Sequence, residues 1–250
     1  MATYTVALDP LLGDYLSHQT ALAAAVGAAD PAANFHTVQG GDYLNQVLDF
    51  SPLSNARVTD EVDGKYTIGV DATGFYSFTV CNGLAMFGGS IRGKTNRTVY
   101  SAGGSAAFYS VTFYCESGTA GYMFRQIGGA VFTLQNCKID GDTQAGSWMF
   151  ILFAGSQLHL DNVYTTPAFT SFSTGFIYAY DGVIASLTIR SSNCPAGYLF
   201  NVRFASTITS LEISGSYSPT LVLKSGAITA FVGADNCYNT TNAGTSSATD

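Results

Sequence analysis

The sequence predicts an all-β solenoid, in which short strands follow a coiling path and each turn stacks on the one before. Three observations carry the prediction. An alternating apolar triplet recurs at Val111-Thr-Phe113, Phe132-Thr-Leu134, Leu158-His-Leu160, Leu187-Thr-Ile189 and Leu211-Glu-Ile213, with starts 21, 26, 29 and 24 residues apart. A second cassette, a small residue before a bulky run, alternates with it at Gly121-Tyr-Met-Phe124, Gly146-Ser-Trp-Met-Phe150, Gly175-Phe-Ile-Tyr178 and Gly197-Tyr-Leu-Phe200. Turn-forming residues stand at one matching place, with Asn136, Asn162, Ser191 and Gly215 each two residues past an aliphatic. A degenerate repeat of this length, made of period-two strands without helical stretches, buries its apolar face only against its neighbours, which is how a solenoid is built.

Taken in order, residues 1–57 read as an N-terminal arm or cap. The Ala/Leu-rich stretch Asp14–Ala29 predicts one helix, capped near Asp14 and ended by Gly27 and the Asp30-Pro31 pair. Within Thr37–Phe50, the residues Tyr43, Leu44, Val47 and Leu48 fall at helical spacing. A solenoid needs such a cap, because its last turn exposes apolar core and unpaired strand edges. Residues 58–239 read as strand and turn throughout. Pro167, Pro195 and Pro219 fall between strands, where a missing N–H does no harm. The glycine-rich pieces Gly88–Gly93, Gly103-Gly104 and Gly128-Gly129 read as tight corners, since no helix follows them to hold a phosphate. Stacked at one corner, asparagine side chains can form a ladder. Residues 240–250 contain no apolar side chain larger than alanine and predict a flexible tail.

Composition narrows the function. The chain is 47% hydrophobic but only 11% charged, against about 25% in ordinary soluble domains. A polar surface made of Ser, Thr, Asn and Gln suits packing against other subunits or a scaffold. Net charge is -7, and the lone cationic cluster, Arg92, Lys94 and Arg97, reads as a solvated turn, so a nucleic-acid partner is excluded. No stretch approaches the ~20 apolar residues of a membrane helix. The start lacks a basic, then apolar leader, which points to synthesis in the cytoplasm without a signal peptide. Five cysteines without a Cys-x-x-Cys pair read as reduced core thiols, and with no histidine at ligand spacing neither a metal nor another cofactor is expected.

Rungs such as Phe132-Thr-Leu-Gln-Asn-Cys-Lys-Ile139 and Leu187-Thr-Ile-Arg-Ser-Ser-Asn193 resemble those of right-handed parallel β-helix proteins, the group of pectate lyases, polygalacturonases and bacteriophage tailspikes. The resemblance covers residues 60 to 238 and rests on the fold pattern. It implies a single-stranded right-handed parallel β-helix. The Gly-His-Gly of polygalacturonase-like sites is missing here, and no Arg-x-Lys follows at a later rung.

Candidate sites follow from residue type. Asp140-Gly-Asp142, with Asp161 one coil later, is the nearest acidic group. It is a candidate for two hydrolytic carboxylates, with Glu116 as an outlying fourth member, or for a solvated turn. His159 lies between two inward leucines and so points outward beside Asp161. His18 and His36 read as surface residues. Tyr122, Trp148, Phe176 and Tyr198 fall at equivalent places and predict either stacking along the solenoid or a sugar-binding groove, with Tyr122, Trp148 and Tyr198 as its candidate binding residues.

Three functions compete. The first is a non-enzymatic virion protein, a homotrimeric capsid decoration or short spike anchored to capsid or tail proteins by its N-terminal arm. The second is a polysaccharide-binding or polysaccharide-cleaving β-helix that meets host glycans. The third, an ice-binding solenoid, needs regular threonine rows. Thr112, Thr133 and Thr188 suggest such a row, but His159 and Glu212 interrupt it.

Overall fold

The computed structural model describes residues 1–70, 78–94, 96–116, 122–141, 148–166, 175–192, 198–202, 206–216, 220–224 and 227–235. These residues form a parallel β-helix of three sheets. The first sheet runs through Ala2–Val6, Ala32–Thr37, Asn55–Asp60, Leu84–Phe87, Ser105–Tyr109, Val131–Gln135, Gln157–Asp161, Ser186–Arg190, Ser206–Ser214 and Ala227–Asp235, with Gly182–Ile184 added to Ser206–Ser214. The second holds Gly41–Gln46, Tyr66–Val70, Ser90–Lys94, Thr112–Glu116, Lys138–Gly141 and Tyr164–Thr165. The third holds Leu48–Asp49, Phe78–Thr79, Asn96–Ala102, Tyr122–Ile127, Trp148–Leu152, Gly175–Ala179, Tyr198–Val202 and Thr220–Lys224. The pairings within each sheet are parallel and join a strand to its equivalent one coil away.

Period-two alternation places one side-chain row inside and the next outside. In the first sheet Phe132, Leu158, Leu187 and Leu211 are in register, as are Leu134, Leu160, Ile189 and Ile213, and all eight are buried. The rung before them is not the expected Val111–Phe113. Ala106 and Phe108 pair with Phe132 and Leu134, whereas Thr112 and Phe113 belong to the second sheet opposite Lys138 and Ile139. The apolar alternation restarts after the corner at Ser110, and the small Ala106 hides the true rung. Along the core runs a column of rings: Phe35–Phe50 at 5.6 Å, Phe50–Phe78 at 5.3 Å, Phe78–Phe108 at 6.4 Å, then Phe108–Phe124 at 6.2 Å and Phe124–Phe150 stacked at 4.6 Å. Cys81, Cys115 and Cys137 are free thiols buried within it, as expected of small core residues. Burial pushes the Cys137 thiol up to about 11, which keeps it protonated and inert.

The corner between the first and second sheets is one residue in the left-handed region. Ser110, Asn136, Asn162, Ser191 and Gly215 have φ of 56°, 54°, 53°, 47° and 54°. Four of these five are the turn residues expected there. Their N–H groups reach the next coil: Ser110, Asn136, Asn162 and Ser191 donate to the carbonyls of Gln135, Asp161, Arg190 and Ser214 at 2.9 Å. The amide ladder exists over one step, where Asn162 Nδ2 donates to Asn136 Oδ1 at 2.8 Å. Just inside the corner, Ser192 and Ser216 replace the apolar Val111, Cys137 and Val163. Ser192 Oγ accepts from the Val163 N–H at 3.1 Å, and Ser216 Oγ accepts from the Ser192 N–H at 3.3 Å.

The N-terminal region differs from expectation in three ways. The first sheet begins at Ala2–Val6 and the pairing continues without a break through Asn55–Asp60, so the expected boundary at 57/58 falls inside a continuous sheet. Residues 41–46 and 48–49 are strands, not helix. The sequence mimics helical spacing there because Asn45, at φ 57°, breaks the register between Tyr43 and Gln46 and resets the alternation. The helix itself is shorter, His18–Gly27 (α1), capped by Ser17, whose Oγ accepts from the Thr20 N–H at 3.1 Å. It ends in a Schellman arrangement: Asp30 N–H donates to Ala25 O, Ala29 N–H donates to Val26 O, and Ala29 takes φ 55°. Its buried face of His18, Ala21, Leu22 and Ala25 packs on the first strands of all three sheets and closes the end of the core.

His18 is therefore a core residue and not the surface histidine expected. Its Nε2 meets Thr37 Oγ1 at 2.9 Å, Tyr66 stacks on it at 5.8 Å, and Nδ1 is buried without a partner. Full burial lowers its pKa to about 3, so the ring stays neutral. The tail 240–250 and prolines 167, 195 and 219 lie outside the described residues.

Candidate functional site

Of the acidic candidates, Asp140 and Asp161 lie on different sheets. Asp161 ends a strand of the first sheet and pairs in register with Gln135, whose Nε2 donates to Asp161 Oδ2 at 3.3 Å. Asp140 lies beyond the next corner, on the second sheet, in register with Tyr114. There Lys138 Nζ is 2.8 Å from Asp140 Oδ2, while Thr166 Oγ1 at 2.8 Å and Gly141 N at 2.9 Å both donate to Oδ1. Burial would raise the Asp140 pKa, but these hydrogen bonds outweigh it and hold the carboxyl below the usual range. It is an ionised, fully engaged carboxylate, the opposite of a general acid held neutral. Asp142 and the side chain of Glu116 lie outside the described residues. Among the described residues no cluster of three His, Cys, Asp or Glu side chains could hold a metal.

What Asp161 does share is the outer face of the first sheet. One row reads Thr133, His159, Thr188, Glu212 and the next Gln135, Asp161, Arg190, Ser214. His159 points outward as its neighbours predict, and His159 and Glu212 interrupt the threonine row as expected. Thr112 is not part of that row, since it sits on the second sheet. A shallow depression of about 410 Å3 is lined by Gln135, His159, Asp161 and Arg190, among others. Arg190 Nε donates to Glu212 Oε1 at 2.7 Å. Partial burial and then the Arg190 charge lower the His159 pKa, against a smaller opposing pull from Glu212. The strip is thus a polar surface whose charges answer one another.

The aromatic candidates are partly in line. Tyr122 pairs in register with Trp148 on the third sheet, but Trp148 pairs with Gly175, so Phe176 is one place out of the row and glycine interrupts it. Tyr198 heads the next strand, in register with Thr220. The Trp148, Phe176 and Tyr198 side chains lie outside the described residues. Other outer rings are already covered: Phe87 stacks on Tyr109 at 5.0 Å with the Arg57 guanidinium 5.2 Å over it, and Arg92 lies 5.0 Å over Tyr114.

A different surface, which sequence reasoning passed over, lies at the capped end. Eight of the ten large apolar side chains exposed among the described residues fall within residues 1–47, so the exposure has one address. Leu8, Leu11, Leu12 and Leu16 come from the loop that leads into α1, with Leu11 90% exposed, and Leu44 and Val47 come from the adjoining chain. The two segments are tied together. Leu8 Cδ1 fills the space a Cβ on Gly41 would take, Asp9 N–H donates to Gln39 Oε1 at 2.7 Å, and Gln19 bridges through Gln46 Oε1 and the Val47 N–H at 3.0 and 2.9 Å. The signal in the sequence was Pro10-Leu-Leu-Gly13, a hydrophobic pair inside a turn, where polar residues are the rule.

No protein-family model matches the chain, and neither a curated protein nor a solved structure matches it significantly.

Proposed function

We propose that the protein is a non-enzymatic structural solenoid that stands on a larger assembly by its capped N-terminal end, with the shaft projecting. The assembly that fits best is a virion, with the chain as a capsid decoration or short spike. The observation that carries this reading is the concentration of exposed leucines at one end of the described chain. An exposed apolar patch at a single address marks an interaction surface. The engagement of Asp140 by three donors and of Glu212 by Arg190 supports a surface built for contact and not for acid–base chemistry. The low charge content of the chain suits side-by-side packing of the shaft, and a homotrimer is the state proposed.

Light scattering on the full chain tests the assembly: a trimer mass is expected, and a stable monomer with no affinity for any particle fraction would contradict the reading. A polysaccharide-cleaving activity abolished by Asp140→Asn or Asp161→Asn would replace it with the glycan-active alternative.

A further inference from the structure

The docking end carries a second property that states what its partner looks like. Residues 1–56 contain Asp9, Asp14, Asp30, Asp42 and Asp49 and no lysine or arginine, so five of the seven net negative charges of the chain arise there. Asp14 and Asp42 are exposed, and Asp9 is half-buried within the leucine loop itself. These carboxylates are held by neutral groups: Asp9 Oδ1 accepts from the Leu11 N–H at 2.9 Å, Asp14 Oδ2 accepts from Thr5 Oγ1, and Asp49 Oδ1 accepts from the Ser51 N–H at 3.0 Å. The nearest lysine or arginine in sequence is Arg57, whose guanidinium is laid over Phe87. His18 is buried and neutral.

Resting on the docking reading above, we infer that the leucine end binds a different protein whose apolar contact surface is rimmed by lysine or arginine, and that it is charged so as not to dock on a second copy of itself. Two copies meeting end to end would bring together two like-charged ends, and exposed charges within a Debye length, about 8 Å at physiological salt, still feel one another. An anionic membrane is refused on the same ground. A basic-rimmed surface gains steering from the acids and affinity from the leucines.

The test uses the full chain and three variants: Asp9→Asn/Asp14→Asn/Asp42→Asn, Leu11→Ser/Leu12→Ser, and all five together. Asparagine keeps the acceptor oxygens at Asp9 and Asp14, so the loop retains its hydrogen bonds. A shaft control, Asp63→Asn/Asp161→Asn/Glu212→Gln, makes the same charge change elsewhere. Two fluorescent synthetic amphipathic helices serve as probes, one of leucine and lysine, the other of leucine and glutamate, and vesicles of phosphatidylglycerol as a third.

The wild type is expected to bind the leucine–lysine helix, to lose about tenfold in affinity in the triple-asparagine variant and in the serine variant, and to change less than about threefold in the shaft control. The leucine–glutamate helix and the vesicles should not bind. In light scattering, the triple-asparagine variant should gain a concentration-dependent association beyond the trimer that the wild type lacks, and the two serines should remove it. Serine-sensitive self-association of the wild type at about 0.15 M salt would make a second copy the occupant and overturn the inference, as would vesicle binding for a membrane. Dependence on the leucines but not on the aspartates overturns the inference and leaves the docking reading standing. Indifference to the leucines in every assay overturns both.

Discussion

The middle of the shaft and its capped end are made from the same kinds of residue and use them in opposite ways. Among the described residues between 131 and 190 one coil is finished by the next: a corner N–H finds the following strand's carbonyl, Asn162 bonds Asn136, Gln135 bonds Asp161, and the apolar rows of the first sheet stack in register. At residues 1–47 the core meets a helix in place of a further coil. That helix, α1, covers the core with His18, Ala21, Leu22 and Ala25, while Leu11, Leu12 and Leu16 face outward. The contrast teaches that in a solenoid surface character follows position. Corner and strand-end polar groups of the shaft pair between coils, whereas most of the exposed apolar side chains among the described residues gather at the capped end.

Substitutions separate the two regions. The largest effect belongs to the core column. Phe124→Ala should cost about 3–5 kcal/mol and Leu134→Ala about 2–5 kcal/mol by chemical denaturation, because flanking coils cannot collapse into the void. A loss under about 1 kcal/mol would show that the rows are not close-packed.

His18 comes next. Its folded pKa of about 3 lies below the unfolded value near 6.5, so the unfolded chain binds the extra proton first. The stability it protects is fully present above pH 6.5, falls by roughly 1.4 kcal/mol per pH unit as pH drops, and is lost once pH passes below about 3. The difference between wild type and His18→Gln should therefore carry this slope. A pH-independent difference would mean the ring is hydrated in the folded state.

At the corner, Asn162→Ala should cost about 1–2 kcal/mol, since alanine resists the left-handed region and the Asn136 bond is lost, whereas Asn162→Gly should cost a few tenths. Equal losses would assign the effect to the ladder alone. Smaller still, Ala29→Gly at φ 55° should stabilise by up to about 1 kcal/mol, and a loss there would show that α1 is not a fixed part of the cap.

The sequence was most legible where the repeat is most regular. The alternation at Phe132, Leu158, Leu187 and Leu211 and the corner row Asn136, Asn162, Ser191 and Gly215 were readable because each is a local rule, pleat alternation or tolerance of positive φ, repeated in register. Val111–Phe113 was put on the wrong sheet because a one-residue corner lets two alternations run together. Strands 41–46 and 48–49 were hidden by Asn45, which resets the period. The placement of Asp140 and Asp161 was hidden for a related reason: they are one coil apart in sequence but lie on different sheets. Burial of His18 could not be read, since it depends on how α1 docks. The leucines of the cap were visible in the sequence, but their exposure was not.

The central claim is that those leucines serve a partner and not the fold, and the unfolding free energy of Leu11→Ser/Leu12→Ser measures it most directly. The account expects a change within about 0.5 kcal/mol of wild type, as for exposed side chains that touch little. A loss of about 2 kcal/mol or more, comparable to Leu134→Ala, would make them part of the cap's own packing and contradict the assignment of this end as the docking surface.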